Sequence, residues 1–249
     1  MKNKVVALIP ARYDSKRFPG KLTALLGEKS VIVCTYENVL NMGIFDDVIV
    51  VTNSHIIRDE IDKVGGKVIF NDSIHPSGTD RIAEVAKDLD YDIIINVQGD
   101  EPFIGKKSLE DLIKAFDSDD VSVATLAQKL ESEEAISNPN NVKVILDSEN
   151  MSLYFSRLPI PFARDKGTEV EHLKHIGVYA FRKESLLKFV ALPIGKLEQI
   201  EMIECLRFIE NGIKLKVILT ETIGIEIDTE SDLQKAKEYL KTSNDKVGK

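Results

Sequence analysis

Arg12, Lys16, Arg17 and Lys21 fall within one ten-residue stretch of the segment Pro10-Ala11-Arg12-Tyr13-Asp14-Ser15-Lys16-Arg17-Phe18-Pro19-Gly20-Lys21. Four cations so close together suit a polyphosphate, because a guanidinium group grips phosphate oxygens through paired hydrogen bonds. Ser15 and Gly20 allow the backbone to come near and donate N–H groups. A solvated basic loop is the plainer reading of such a run. The position of this one favours phosphate binding, since it directly follows the apolar run Val5 to Ile9 and is punctuated by Pro and Gly. Ligands of open parallel sheets sit at the carboxyl ends of the strands, and this loop occupies such an end. The segment is neither a Walker P-loop nor a dinucleotide fingerprint, and the chain has no H-E-x-x-H, G-x-S-x-G or paired C-x-x-C.

Asp100 closes a second apolar run, Ile95-Asn96-Val97-Gln98-Gly99-Asp100, where a carboxylate would project into the mouth of the sheet beside a glycine that leaves room for a ligand. Magnesium takes oxygen ligands and commonly uses one or two carboxylates together with substrate phosphates. Asp228, after Ile225-Glu226-Ile227, is the natural candidate for the second carboxylate. The plainer readings are a turn residue or helix cap for Asp100 and the N-cap of the last helix for Asp228.

The elements that must carry these residues alternate. Val5 to Ile9, Val48 to Val51 and Ile93 to Val97 read as strands buried on both faces. Val31 to Leu40, His55 to Val64 and Thr79 to Leu89 read as helices between them, the second capped by Asn53 or Ser54. That order predicts a parallel sheet flanked by helices. In the second half, Val121 to Leu126, Val142 to Leu146 and Ser152 to Ser156 read as added antiparallel strands. An amphipathic helix is expected over Leu197 to Ile209, a strand over Leu215 to Leu219, and a closing helix over Ser231 to Leu240 with Ser231 as N-cap. We expect one domain over 1–242, with an inserted subdomain at 126–190 and a polar tail at 243–249.

The 249 residues carry a formal net charge of -8, which disfavours nucleic acid as a partner. Two cysteines make no disulfide framework, and the N-terminal apolar run is too short for a signal or a membrane span, so a cytoplasmic protein is expected.

The pattern Ile9-Pro10-Ala11-Arg12-x-x-Ser15-x-Arg17-Phe18-Pro19-Gly20-Lys21 strongly resembles the N-terminal signature of the 3-deoxy-manno-octulosonate (Kdo) cytidylyltransferases. The resemblance continues in family order through Ser77-Gly78-Thr79-Asp80-Arg81, Asn96 to Pro102, Tyr154-Phe155-Ser156-Arg157, His175 to Tyr179 and Asp228-Thr229. It implies an α/β fold with a mostly parallel, mixed sheet flanked by helices, of the nucleotide-diphospho-sugar transferase kind, with an inserted antiparallel subdomain. It also implies transfer of CMP from CTP to Kdo with release of pyrophosphate, for lipopolysaccharide synthesis, by a homodimer that joins through the inserted segment.

In residue terms, the resemblance implies that Asp100 and Asp228 bind Mg²⁺ with CTP, while Lys21 and Arg17 stabilise charge on the phosphates. Arg12, Ser15 and Lys16 complete the phosphate loop. Ser77, Gly78 and Arg81 are expected to seat the nucleotide, with Gln98 reading base or ribose and backbone groups at Pro10 and Ala11 meeting cytosine. On the sugar side, Arg157 corresponds to the family's carboxylate contact and Glu204 to its hydroxyl contact. Strand alternation puts His175, Gly177 and Tyr179 on one face, and we assign His175 and Tyr179 to the sugar as well. Three positions depart from the family pattern: Cys205 stands for a Gln, Gln199 for a frequent His, and Leu22 for a Pro. The alternatives are a cytidylyltransferase for 8-amino-8-deoxy-Kdo or another acidic sugar, and a nucleotide-sugar-binding protein without catalysis.

Overall fold

The computed structural model describes residues 3–15, 17–165, 167–221 and 224–247, and side chains as far as residue 242. It divides into two compact units, Met1–Lys106 with Ile223–Lys249, and Lys107–Thr222.

In the first unit, every residue of β1 (Val5–Ala11) is buried, as its unbroken apolar sequence requires of a strand covered on both faces. A small hairpin, β2 (Leu25–Leu26) and β3 (Lys29–Ser30), leads into α1 (Val31–Asn41). There follow β4 (Asp47–Thr52), α2 (His55–Lys63), β5 (Val68–Phe70), α3 (Gly78–Ala86) and β6 (Ile93–Asn96). The four longer strands are parallel, in the order β6-β1-β4-β5, and the helices pack on them. Both caps come from serines: Ser54 accepts the Ile57 N–H at 3.4 Å, and Ser77 accepts the Asp80 N–H at 3.1 Å.

The second unit opens with α4 (Lys106–Lys114) and β7 (Val123–Lys129). It continues through α5 (Glu133–Ser137), β8 (Lys143–Leu146), β9 (Ser152–Ser156), β10 (Leu173–Arg182), α6 (Lys183–Ala191), α7 (Lys196–Glu201), α8 (Leu206–Glu210) and β11 (Lys216–Leu219). β10 is antiparallel to β7 and β8, β8 is antiparallel to β9, and β11 is parallel to β7. The added antiparallel strands therefore exist, on a sheet that is mixed rather than wholly parallel.

The expected helix over Leu197 to Ile209 is two short helices. Met202 adopts φ 52°, which ends α7. Arg157 holds that break open, since its Nε donates to the Glu201 carbonyl at 2.6 Å and its Nη2 to the Met202 carbonyl at 3.1 Å. Two glutamates of this stretch are engaged in contacts rather than left to solvent. Glu198 pairs with the buried Arg207 through contacts of 2.8 and 2.6 Å, and Glu201 accepts from the Ser156 hydroxyl at 2.9 Å and the Arg157 N–H at 3.0 Å. α8 buries Leu206, Arg207 and Phe208, whereas α7 buries none of its residues and leaves Ile200 in solvent, so the apolar face does not run on across the break.

Beside this break lies Lys143, wholly buried. Its ammonium donates to the carbonyls of Asn138 at 3.1 Å and Asn141 at 2.6 Å, and to that of Arg157. Lys143→Met would keep the apolar stem and leave three carbonyls short of a donor, so we expect a loss of about 3 kcal/mol, read as a lower urea midpoint at unchanged m.

The chain then returns to the first unit in α9 (Glu230–Val247). Its cap is Thr229 rather than Ser231. The Thr229 hydroxyl accepts the Asp232 N–H at 3.2 Å, and the Asp232 carboxylate accepts the Thr229 N–H at 3.0 Å, a reciprocal box. The helix also continues through Val247, where a polar tail was expected from residue 243. Asp228 is thus released from capping duty.

Candidate active site

A cleft of about 520 Å³ opens in the first unit at the carboxyl ends of β1 and β6. Pro10 and Ala11 form its floor. The loop that follows turns at Gly20, at φ 71°, into a single 3₁₀ turn that begins at Lys21. This left-handed residue points the Lys21 side chain back toward β6.

There the Lys21 ammonium lies between two carboxylates. It donates to Asp100 and, at 2.8 Å, to Asp228 Oδ1. Arg17 reaches the other oxygen of Asp228 at 2.7 Å. The two aspartates converge because the Ile227 N–H donates to the Asp100 carbonyl at 3.0 Å, stitching the returning segment to the end of β6. Burial alone would pull the Lys21 pKa down, but Asp100 and Asp228 carry it above its ordinary value. Burial alone would likewise raise Asp228; the Lys21 ammonium, with Arg17, holds it below the usual carboxylate range.

A third acid completes the group. One oxygen each of Asp100, Glu226 and Asp228 lie within 4.8 Å of one another. Glu226 is exposed as a residue, yet its carboxyl end is turned among these acids. Burial of that end, then the charges of Asp100, Glu101 and Asp228, push its pKa well above the usual range. Sequence reasoning passed over Glu226, although its polar place between Ile225 and Ile227 was the available signal. Three convergent carboxylate oxygens are the donor set a hard divalent cation prefers, so these residues fit Mg²⁺.

The N-terminus of α3 supplies another wall, through Ser77, Gly78 and Arg81. Arg81 is only 5% exposed, and its Nη1 has no hydrogen-bond partner among the described residues. Burial and repulsion by Arg12 both pull its pKa down. A buried guanidinium facing another cation at a helix N-terminus is a place prepared for an anion or a carbonyl oxygen. Beside it stands His75, another residue the sequence reading missed; its ring Nε2 is hydrogen-bonded to Glu84. Arg12, Ser15 and Gln98 line the same cleft, whereas Lys16 lies outside the described residues. Gly99 does not leave room for a ligand as expected. A methyl group there would come within 3.1 Å of Ile32, 3.3 Å of Leu22 and 3.3 Å of the Pro10 carbonyl, so the space it frees is filled by the protein itself.

The residues assigned to the sugar all lie in the second unit. Arg157 directs its guanidinium to backbone carbonyls at Pro139, Glu201 and Met202. Glu204, half-buried, sits in the link between α7 and α8. A register shift between Ile176 and Tyr179 interrupts the simple alternation expected along β10. His175 and Tyr179 meet nonetheless, with ring centroids 5.4 Å apart. Cys205, fully buried, lies against Tyr179, and burial pushes the pKa of its thiol far up, which makes it inert as a nucleophile.

His175 hydrogen-bonds Thr125 at 3.0 Å and is held neutral, its pKa pushed down to about 3 by burial and then by Lys174. Its unfolded form takes up a proton near pH 6.5 while the folded form does not. Stability is therefore complete above that pH and falls as the pH drops toward 3. Urea titrations at pH 7 and 4 should show this loss in the wild type and a smaller one in His175→Gln.

A cation-lined cleft at strand ends, joined to a cluster of carboxylates, defines a nucleotidyltransferase. The profile described as cytidylyltransferase matches residues 6–218, and the chain belongs to that family. Within it, the 3-deoxy-manno-octulosonate cytidylyltransferase of Christiangramia forsetii is 49% identical over 242 residues, covering 96% of this chain and 98% of that protein. The protein of the same name from Flavobacterium johnsoniae is 48% identical over 241 residues, covering 96% and 99%. The solved structure of a CMP:2-keto-3-deoxy-manno-octonic acid synthetase complexed with CTP is 36% identical and superimposes with a TM-score of 0.91, over 96% of this chain and 99% of that one. A 4-diphosphocytidyl-2C-methyl-D-erythritol synthase from Anaerococcus prevotii, at 20% identity and a TM-score of 0.66, shares the fold.

Proposed function

We propose that this protein joins CMP from CTP to Kdo and releases pyrophosphate, with Mg²⁺. The observation that carries the reading is the Lys21 ammonium held between Asp100 and Asp228 in a cleft whose other wall holds Arg81, with its Nη1 free of hydrogen bonds among the described residues. The relatives named for this reaction match nearly the whole chain.

In this reading the anomeric hydroxyl of the sugar attacks the α-phosphorus of CTP, and the bond to the β-phosphate oxygen breaks. Lys21 and Arg17 offset the charge that gathers on the departing pyrophosphate. Arg12 and the α3 N-terminus hold further phosphate oxygens, and Gln98 and Arg81 orient the nucleoside. Asp100 and Asp228, with Glu226 beside them, would hold Mg²⁺. When bound, the ion supplies Lewis-acid stabilisation of the phosphate oxygens and makes the sugar hydroxyl easier to deprotonate.

We further infer a homodimer formed through the second unit. Leu158, Phe162, Ile200 and Met202 are 71%, 87%, 77% and 76% exposed there, and Arg157 ties the first pair's segment to the second's. We place the work in the cytoplasm, in keeping with two free thiols. Among the described residues no helix is long and apolar enough to cross a membrane.

The test is pyrophosphate release with Mg²⁺, each of the four nucleoside triphosphates, and a panel of Kdo, 8-amino-8-deoxy-Kdo and a sialic acid. Release with CTP and Kdo alone is expected. Release with CTP and another sugar would move the substrate and point to the Cys205–Tyr179 pair. No release from protein that still binds CTP would remove the catalytic reading.

A further inference from the structure

Thr35 is a wholly buried polar residue on α1, a helix whose other buried residues include Val31, Ile32 and Val39. Its hydroxyl lies 2.9 Å from the Gly99 carbonyl and 3.1 Å from the Val31 carbonyl. Carbonyls only accept, so the hydroxyl is the donor. The Val31 carbonyl already receives the Thr35 N–H of the helix ladder, whereas the Gly99 carbonyl has no other partner among the described residues. The proton therefore serves Gly99. One turn further along α1, Asn38 Nδ2 donates to the Ile104 carbonyl at 3.0 Å. The helix thus holds the loop after β6 at both ends, and at the near end it holds the peptide that joins Gly99 to Asp100.

That peptide is the middle one of a turn closed by the Glu101 N–H on the Gln98 carbonyl at 3.1 Å. It is trans, so its N–H points opposite to its carbonyl. The carbonyl is turned to α1, and the Asp100 N–H is turned away from it. Gly99 and Asp100 line the cleft, and no residue of α1 does. Among the described residues this N–H has no hydrogen-bond partner. We propose that Thr35 is a positioning residue that fixes the Gly99–Asp100 peptide with its N–H toward the cleft, as a donor to a phosphate oxygen of the nucleotide. The inference rests on the reading of this cleft as the CTP site. Lys21, bound to the carboxylate of the same Asp100, supplies the charge that draws a phosphate there. The middle peptide of a turn is the unit that reverses between types I and II, and the reversed form needs a positive φ at the third residue, which aspartate tolerates better than most. Reversal here would break the bond to Thr35 and turn the Gly99 carbonyl to the cleft, so that a lone pair would meet the phosphate in place of a donor.

Two substitutions separate the hydroxyl from the bulk of the side chain. Thr35→Val is nearly isosteric and removes the donor. Thr35→Ser keeps the donor and removes a methyl group. The measurement is calorimetric binding of CTP and of cytidine, with Mg²⁺, to the full chain and to each variant, with melting temperature as the check on folding. We expect T35V to bind CTP about tenfold more weakly, the worth of one hydrogen bond to a charged oxygen, and to bind cytidine as the wild type does. T35S should melt earlier and keep its affinity for CTP. An unchanged CTP affinity in T35V overturns the proposal, and so does an equal loss in T35S or an equal loss for cytidine. In the wild type, exchange of the Asp100 amide hydrogen should slow on adding CTP and not on adding cytidine, and an exchange rate that CTP leaves unchanged overturns the proposal as well. If T35V does not fold, that exchange rate decides alone. A wild type that binds no CTP would remove the reading of the cleft itself, and this inference with it.

Discussion

Asp100→Asn and Asp228→Asn are each expected to lower the rate of pyrophosphate release by about a thousandfold, the upper end of what one charge-stabilising group contributes to turnover. The argument is electrostatic. The two aspartates carry the side-chain oxygens that converge with Glu226, and both are mostly buried, at 14% and 20% exposure, so water replaces neither charge well. An asparagine keeps the shape and one oxygen but loses the charge that a divalent cation requires. A second readout separates metal affinity from a fault in folding. The melting temperature of the wild type in CTP should rise on adding Mg²⁺, and that rise should be lost in the variants. A variant that keeps both the rise and the rate would remove the carboxylate from the metal site. Asp228 adds a dependence on pH. Its pKa is lowered in the folded protein, so its contribution to stability is present above the ordinary carboxylate value and fades as the pH falls through the lower folded one.

Lys21→Met carries the second large effect, again about a thousandfold in turnover. In the resting protein the ammonium screens Asp100 from Asp228. Its removal leaves acids that repel one another, so the apo protein should melt earlier. Because a bound cation would relieve the same repulsion, Mg²⁺ should raise the melting temperature of the variant more than that of the wild type. The variant thus couples a loss of catalysis to a gain in metal stabilisation. A merely structural lysine would produce no such pairing, and an equal response to Mg²⁺ in both proteins would show that Lys21 and the ion do not share the site.

The parts that sequence made legible are those governed by local rules. β1, β4 and β6 show as unbroken apolar runs, and Ser54 and Ser77 cap α2 and α3. The cationic loop and Asp100 could be placed in the cleft because they lie immediately after such strands. What failed was decided by contacts between distant segments. The break at Met202 depends on Arg157, which approaches from β9, and no hydrophobic period records it. The role of Gly99 depends on Pro10, Ile32 and Leu22. Thr229 rather than Ser231 caps α9 because Asp232 answers it, a local signal that was present and passed over. Glu226 was marked by its polar place between Ile225 and Ile227 and was likewise passed over, whereas His75 became visible only when its neighbours were known.

The first unit is made from two stretches of chain, and the bond from Ile227 to the Asp100 carbonyl is where they meet at the cleft. This has a consequence for the order of events during synthesis. The phosphate loop, α3 and Asp100 emerge from the ribosome early, whereas Asp228 and Glu226 follow only after the whole second unit has been made. Joining them closes a very long loop, a slow, non-local step. The acid cluster is therefore assembled from the earliest and the latest parts of the chain, and in the proposed reading catalytic competence has to wait for the last of them.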